Sequence, residues 1–402
     1  MINYQMEGIV DKTAAIETIM KDFAGRTCLT GSECRPVRYL WTDAFAVCNF
    51  IALFRKTGNP YYKEEALVLV DQVHHILGRH REDDERSGWI SGLDEAEGEK
   101  HPTIGGLRIG KKQNERKKDE PYDERAEWEQ DGQYYHYLTK WMHALDLVSE
   151  VTGDRRYRRW ALELAHTAYE KFTYDTPANS KRMYWKMSID LSYHLVPSMG
   201  QHDALDGYIT ALELDRSASQ ERNLPEELQL DAPLSGLRLM AQSINWESDD
   251  PLGIGGLLSD ASILTQLIAE GERIEMSNML FKMLYYALKG IKAFMETETL
   301  RYPAEYRLAF REFGLSIGLH GVAKIEKLIS QHTGYFEEPA HLQKILDELE
   351  AYHPLCDYIE KFWMDETNQQ STTWREHLDI NSVMLATSLD PDGYLHLPGF
   401  EG

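Results

Sequence analysis

The sequence holds only four cysteines in 402 residues: Cys28, Cys34, Cys48 and Cys356. None forms a C-x-x-C pair, and so few exclude a small fold stapled by many disulfides. Cys48 lies inside an apolar run, where a thiol behaves as a small hydrophobe. Basic residues are also scarce: Lys and Arg total 43 against 66 Asp and Glu, a formal charge of −23. A surface that acidic repels phosphate, so nucleic acid and anionic membranes are not expected as partners. No run of about eighteen apolar residues exists, so no membrane-spanning helix is expected. The opening stretch MINYQMEGIVDKTAAIE has neither a basic start nor an apolar core. No signal peptide is therefore expected, and the cytoplasm is the default location.

Several catalytic signatures are missing too. The stretch Gly105–Lys112 reads GGLRIGKK, but it lacks a Ser or Thr after the Lys and is flanked by polar residues instead of a strand and a helix. His74 and His75 are adjacent and cannot share one helix face, and there is no H-E-x-x-H. No G-x-S-x-G elbow is present. No cofactor and no metal is expected.

What is present is a repeated turn. Phe54–Leu69 (FRKTGNPYYKEEALVL) and Ser149–Leu164 (SEVTGDRRYRRWALEL) share T-G-[N/D]-x-x-Y-x-x-x-A-L-x-L. Gly58 and Gly153 suit the left-handed end of one helix. Asn59 and Asp154 suit the cap of the next, and Pro60 its first position. Each unit is a helix, a tight turn and a helix. Residues 41–56 are apolar nearly all round, whereas 60–77 and 154–172 carry one apolar stripe. Buried and amphipathic helices therefore alternate. Carried along the chain, the rule gives helices at 10–24, 41–56, 60–78, 133–151, 154–172, 202–215, 225–243, 254–270, 274–297, 306–331, 340–364 and 374–388. Every second one is the buried member. No strand pattern appears. The long polar break at 79–131 reads as an excursion from one rim of a single domain spanning 1–402, placed to roof a cavity with Trp89 or Trp128.

With these turns and this alternation the chain resembles the all-α six-hairpin (α/α)6 toroids. These include glycoside hydrolases, unsaturated uronyl hydrolases and the N-acylglucosamine and cellobiose 2-epimerases. The resemblance implies an inner ring of buried helices with a cavity at their N-terminal ends. The starts of the predicted inner helices fit. Arg35, Arg38, Trp41 and Asp43 stand before the first. Glu127, Trp128, Glu129, Asp131, Tyr134 and His136 stand before the second. The third has His202, Asp203 and Asp206, and the fourth Trp246, Asp249 and Asp250. The fifth has Arg307, and the sixth Trp374, Glu376 and His377.

Aromatic faces stack on sugar rings, while carboxylates and Arg hydrogen-bond hydroxyls. Burial can split the pKa values of two carboxylates for acid/base work. Any one of these residues can instead be a helix cap or a solvated rim group. Asp203 is the leading acid/base, beside His202 and one turn from Asp206, with Glu376 and Asp43 next. Arg35, Arg38, Trp41, Trp128, Tyr134, His136, Trp246, Arg307, Trp374 and His377 are the expected saccharide contacts. Hydrolysis of a glycosidic bond in a short saccharide is the leading expectation. The alternatives are 2-epimerisation through two of His136, His202, His320 and His377, or a non-catalytic glycan-binding or scaffold protein. The basic cluster Arg108, Lys111, Lys112, Arg116, Lys117 and Lys118 is either a solvated loop or an attractor for an anionic sugar. The sequence leaves the oligomeric state open.

Overall fold

The computed structural model describes residues 12–30, 34–178, 180–219, 224–271 and 273–400. The first hairpins form where the local chemistry places them. Gly58 closes α2 (Leu40–Thr57) with φ 68°, and Gly153 closes α4 (Tyr135–Thr152) with φ 70°. Asn59 accepts the Tyr61 N–H and Asp154 the Arg156 N–H, which starts α3 (Pro60–Leu77) and α5 (Arg155–Phe172). The chain continues through α6 (Asp203–Ser219), α7 (Asp231–Gln242), α8 (Pro251–Ala269), α9 (Ser277–Glu296) and α10 (Ala309–Gln331). It then runs through α11 (Pro339–Glu350), α12 (Pro354–Met364), α13 (Leu378–Leu389) and the short α14 (Asp392–Leu395). The first predicted helix is α1 (Lys12–Arg26), and the predicted residues 10 and 11 lie outside the described residues.

Six helices form an inner ring in the order α2, α4, α6, α8, α10, α13, and α13 packs back on α2. The ring closes through Asn49, which donates to the Val383 carbonyl at 3.1 Å and accepts from Thr387 at 3.1 Å. Helices α1, α3, α5, α7, α9 and the pair α11–α12 lie outside. This is the expected (α/α)6 toroid. Inner helices are buried nearly all round; α8 is 19 residues long with Asp260 its one charge, and the ring rather than lipid surrounds it. It meets α10 unusually closely: a Cβ at Gly318 would lie 2.5 Å from the Gly255 carbonyl, so only glycine fits there.

Three predicted helices differ in detail. The one at 225–243 starts only at Asp231, after a single turn at Glu226–Leu228. Pro233 thus falls in the first turn, where no N–H is required. The one at 340–364 breaks before Pro354, which begins α12. The one at 374–388 is a short turn, Thr372–Glu376, followed by α13.

Short strands also exist where none was expected. β1 (Gln133–Tyr134) pairs with β4 (Lys186–Met187), which pairs with β5 (His194–Val196). β2 (Thr173–Asp175) pairs with β3 (Lys181–Met183). Strands of two or three residues are too short to show a period.

The 79–131 excursion divides in two. Its first half packs on the outer helices: Glu99 bonds His75 at 2.8 Å, and Trp160 donates to the Lys100 carbonyl at 2.8 Å. Its second half follows the N-terminal rim, where the Leu40 N–H donates to the Ile109 carbonyl at 3.0 Å. The opposite end of the ring is closed by the C-terminal tail. Gln266 donates to the Leu395 carbonyl at 2.8 Å, and the Gly399 N–H donates to Glu150 at 2.8 Å.

Candidate functional site

Helices α4 and α6 are neighbours in the ring, and each turns polar side chains toward the other at spacings of three and four, one helical face. The result is a ladder. At the N-terminal mouth, His136 Nδ1 lies 3.5 Å from Asp203 Oδ1. One turn deeper, Thr139 and the Lys140 ammonium both donate to Asp206, each at 2.6 Å. Below that, His143 bonds Glu213 at 2.7 Å. At the bottom Asp146 accepts from Ser217 at 2.6 Å and from Arg158 at 2.7 Å.

The deep rungs are paired and enclosed. Asp260 of α8 joins them, and burial, then the neighbouring Asp206 carboxylate, pushes its pKa well up. Lys140 is held well above the usual lysine range, because the carboxylates around it outweigh its own burial. A cavity of about 20 Å³ lies among these groups, room for about one water.

The mouth rung is different. Asp203 Oδ2 and His136 Nδ1 are both buried without a hydrogen-bond partner among the described residues. Asp203 opens α6 and is 6% exposed, against the positive end of the helix dipole. A buried polar atom left unpaired costs about 1–3 kcal/mol, so a ligand group that bonds it recovers that cost.

Aromatic rings wall this rung. His136, Tyr134 and Trp185 form one cluster, with His136 5.3 Å from Tyr134 and 6.4 Å from Trp185, and Trp41 meets the His136 edge at 6.0 Å. Trp128, 48% exposed, leans on Trp185 at 5.5 Å. The Tyr39 and Tyr137 hydroxyls bond each other at 2.8 Å. Burial raises both, Tyr39 to about 12, so they act as hydroxyl donors at neutral pH. Across the ring, Arg311 of α10 pairs with Asp250, the cap of α8, at 2.8 Å, and its charge reaches the Tyr137 hydroxyl. At the start of α13, His377 rests on Phe310 and hydrogen-bonds the Thr373 carbonyl through Nδ1 at 3.1 Å.

Several expected site residues have structural duties instead. Arg38 and Asp43 are buried, paired at 3.3 Å, and Asp43 also accepts the Tyr39 N–H, so the pair anchors the start of α2. Arg307 is buried in a two-point bond to Glu312 and lies 3.7 Å over Phe362. Trp374 is buried against Trp363. Asp206 is occupied by Thr139 and Lys140. His202 bonds the Trp246 carbonyl at 2.8 Å, which fixes the loop before α8. Trp246 faces a cleft between α7 and α9, outside the ring. Glu376 is exposed on the turn before α13, and Arg35 is an exposed rim residue paired with Glu82.

Of the two tryptophans expected in the roof, Trp128 reaches the mouth. Trp89 is buried against Arg79 and His75 on the outer helices. In the basic cluster, Arg108 is bound by Asp131 and Arg116 by Glu127, which braces the rim. Cys28 and Cys34 form a disulfide. Among the described residues, the group of converging metal-type ligands, His320, His353 and Cys356, lies away from the mouth on the flank of α10.

The mouth thus unites Trp41, Trp128, Tyr134, His136, Asp203 and His377 of the expected set. It also holds Asp250, named at the start of the fourth inner helix without a site role, and adds Tyr39, Tyr137, Trp185 and Arg311. Trp185 comes from the strand excursion, which showed no period. Arg311 stands in the first turn of α10, and its first-turn position was the available signal.

No family profile and no curated protein matches the sequence. Solved structures match in fold. An inactive variant of the alpha-1,6-mannanase GH76A of Salegentibacter sp. HEL1_6, with two consecutive aspartates replaced by alanine and alpha-1,6-mannotetrose bound, aligns at TM-score 0.54 and 12% identity. The alignment covers 96% of this chain and 100% of that one. The parent mannanase aligns at TM-score 0.53 and 12% identity over 94% and 99% of the two chains. The chain therefore shares the (α/α)6 toroid with these enzymes. A cellobiose 2-epimerase of Spirochaeta thermophila aligns at TM-score 0.46 and 12% identity over 95% and 99%.

Proposed function

We propose that this toroid is a carbohydrate-active enzyme that cleaves a glycosidic bond of a short saccharide held at the ring's mouth. The observation that carries this is the His136–Asp203 rung: a carboxyl and an imidazole with buried polar atoms that lack hydrogen-bond partners among the described residues, inside an aromatic wall. Trp41, Tyr134, Trp128 and Trp185 offer ring faces for stacking. Arg311 and the Tyr39–Tyr137 pair offer hydrogen bonds to hydroxyls.

In this reading Asp203 gives its proton to the glycosidic oxygen as the bond to the anomeric carbon breaks. Water adds to that carbon, and Asp250 takes the water's proton. His136 positions the Asp203 carboxyl. The two neighbouring aspartates whose loss inactivates the related mannanase support carboxylate chemistry on this fold.

The test is turnover on a panel of disaccharides and short oligosaccharides that includes alpha-1,6-mannotetrose. Asp203→Asn keeps the shape but removes the acidic proton. A loss of turnover of roughly a hundredfold or more is expected. Wild-type turnover in this variant removes Asp203 from the mechanism.

A second reading rests on His377. Its Nδ1 is committed to a carbonyl, which leaves Nε2 for chemistry, with His136 as the second group of the pair. Two histidines across a sugar suit epimerisation by proton removal and return. Incorporation of solvent deuterium into an intact sugar, without a new reducing end, selects it over hydrolysis.

A further inference from the structure

The mouth leaves one cluster of reactive side chains unused. Midway along α10, His320 meets the first turn of α12. His353 directly precedes Pro354, and Cys356 follows three residues later, so both project from one turn. One donor atom from each of His320, His353 and Cys356 lies within 4.8 Å of the other two. The two histidines are partly exposed and the cysteine is buried. The imidazole rings meet edge to face with centroids 5.3 Å apart.

A second group sets the orientation of His320. Its Nε2 lies 2.8 Å from Glu360 Oε1. Glu360 is buried, accepts from Ser388 at 2.8 Å and from Ser316 at 3.3 Å, and faces Lys12 at 3.4 Å. With Nε2 turned to this carboxylate, Nδ1 is the ring nitrogen left to face Cys356, and it gives up its proton when a metal binds. A carboxylate behind a ligating imidazole fixes its tautomer and raises its basicity, as in many metal sites. The Cys356 thiol lies against His320 and makes a weak 3.5 Å bond to the Ser316 carbonyl.

We propose that His320, His353 and Cys356 form a Zn²⁺ site on the flank of the ring, with Glu360 as the outer partner of His320. Two imidazoles and one thiolate are a donor set that suits Zn²⁺. Tetrahedral zinc needs donors roughly 3.5 Å apart, which small side-chain rotations reach from the present spacing. Binding expels the thiol proton to solvent, and the thiolate becomes the third ligand. Water takes the fourth position on the exposed side of the two histidines. The ion ties α12 to α10 beside the break between α11 and α12, where the outer layer is split. Nothing in this proposal depends on the saccharide reading.

The test uses the full chain, freed of metal with a chelator, then titrated with Co²⁺ and displaced with Zn²⁺. One equivalent of Co²⁺ should give a sulfur-to-cobalt charge-transfer band that Zn²⁺ abolishes. Cys356→Ser should lose the band, and Cys48→Ser should keep it. Glu360→Gln should weaken Zn²⁺ binding roughly 10- to 100-fold, as loss of an outer partner does. Where Cys356→Ser does not fold, His353→Ala, on the partly exposed turn before α12, replaces it and should weaken binding at least about tenfold. A wild-type chain that takes up no Co²⁺ overturns the site. So does a band that survives Cys356→Ser or moves with Cys48, or a His353→Ala protein with unchanged affinity.

Discussion

The top rung of the α4–α6 ladder and the rung below it each centre on an aspartate of α6, one turn apart, yet they do opposite things. Asp206 has both oxygens filled at 2.6 Å, by Thr139 and Lys140. Asp203 stands 3.5 Å from His136, with its other oxygen unpartnered among the described residues. The deep rung is finished by the protein itself, whereas the mouth rung awaits a partner. Buried acids in a ring of helices thus divide into structure and chemistry according to whether their bonds are already made.

Substitutions at the two rungs should separate these roles. The largest effect is expected at the deep one. Lys140→Met leaves Asp206 without its buried counter-charge beside Asp260, and should cost about 3–5 kcal/mol of stability. Denaturant unfolding reads this, and a variant as stable as wild type would mean that Asp206 is paired by something else. At the mouth, Asp203→Asn should invert the pattern. The hundredfold loss of turnover should come with a stability change of only about 1 kcal/mol or less, because Asp203 Oδ2 is unpartnered and Oδ1 stands 3.5 Å from His136, so Asn breaks no close hydrogen bond. Equal losses of stability at both rungs would erase the distinction.

A third contrast uses a buried histidine that carries no charge. His74 accepts a hydrogen bond from the Trp141 indole at 3.1 Å, and burial lowers its pKa to about 3. The unfolded chain binds a proton there below about pH 6.5 that the folded chain refuses. The contribution is therefore complete above pH 6.5 and is lost as pH falls toward 3, at about 1.4 kcal/mol per unit. At pH 5 the loss should be about 2 kcal/mol, and His74→Gln should flatten that part of the stability profile. The smallest effect is expected at the rim. Arg35 and Glu82 form an exposed pair, so Arg35→Ala should change stability by less than about 0.5 kcal/mol. A large loss of activity in that variant would extend the site outward to this pair.

Local chemistry made the hairpins legible. Gly58 with Asn59 and Gly153 with Asp154 specify their turns without help from distant residues, and the alternation of helix types follows from burial. The polar, aromatic mouth of the ring was also legible as a candidate site, because such residues gather at the starts of the inner helices. Which of them are available was not. Arg307 and Arg38 look like Arg311 in sequence, but Glu312 and Asp43 occupy the first two inside the fold, while Arg311 reaches the mouth. Trp374 and Trp128 differ only in what packs on them. Pairing depends on three-dimensional neighbours, and for Trp185 even the element that carries it was too short to announce itself.

The junction of the last inner helix with the first sets an order on synthesis. Asn49 waits for Val383 and Thr387, which leave the ribosome more than three hundred residues later. At about 5–20 residues per second, the opening hairpin exists for roughly 15 to 70 seconds before its partner is made. During that time the apolar flank of α2 that α13 will cover lies bare. The nascent chain is then an unclosed arc, and chaperone demand should peak late in translation and fall only once the C-terminal residues are released.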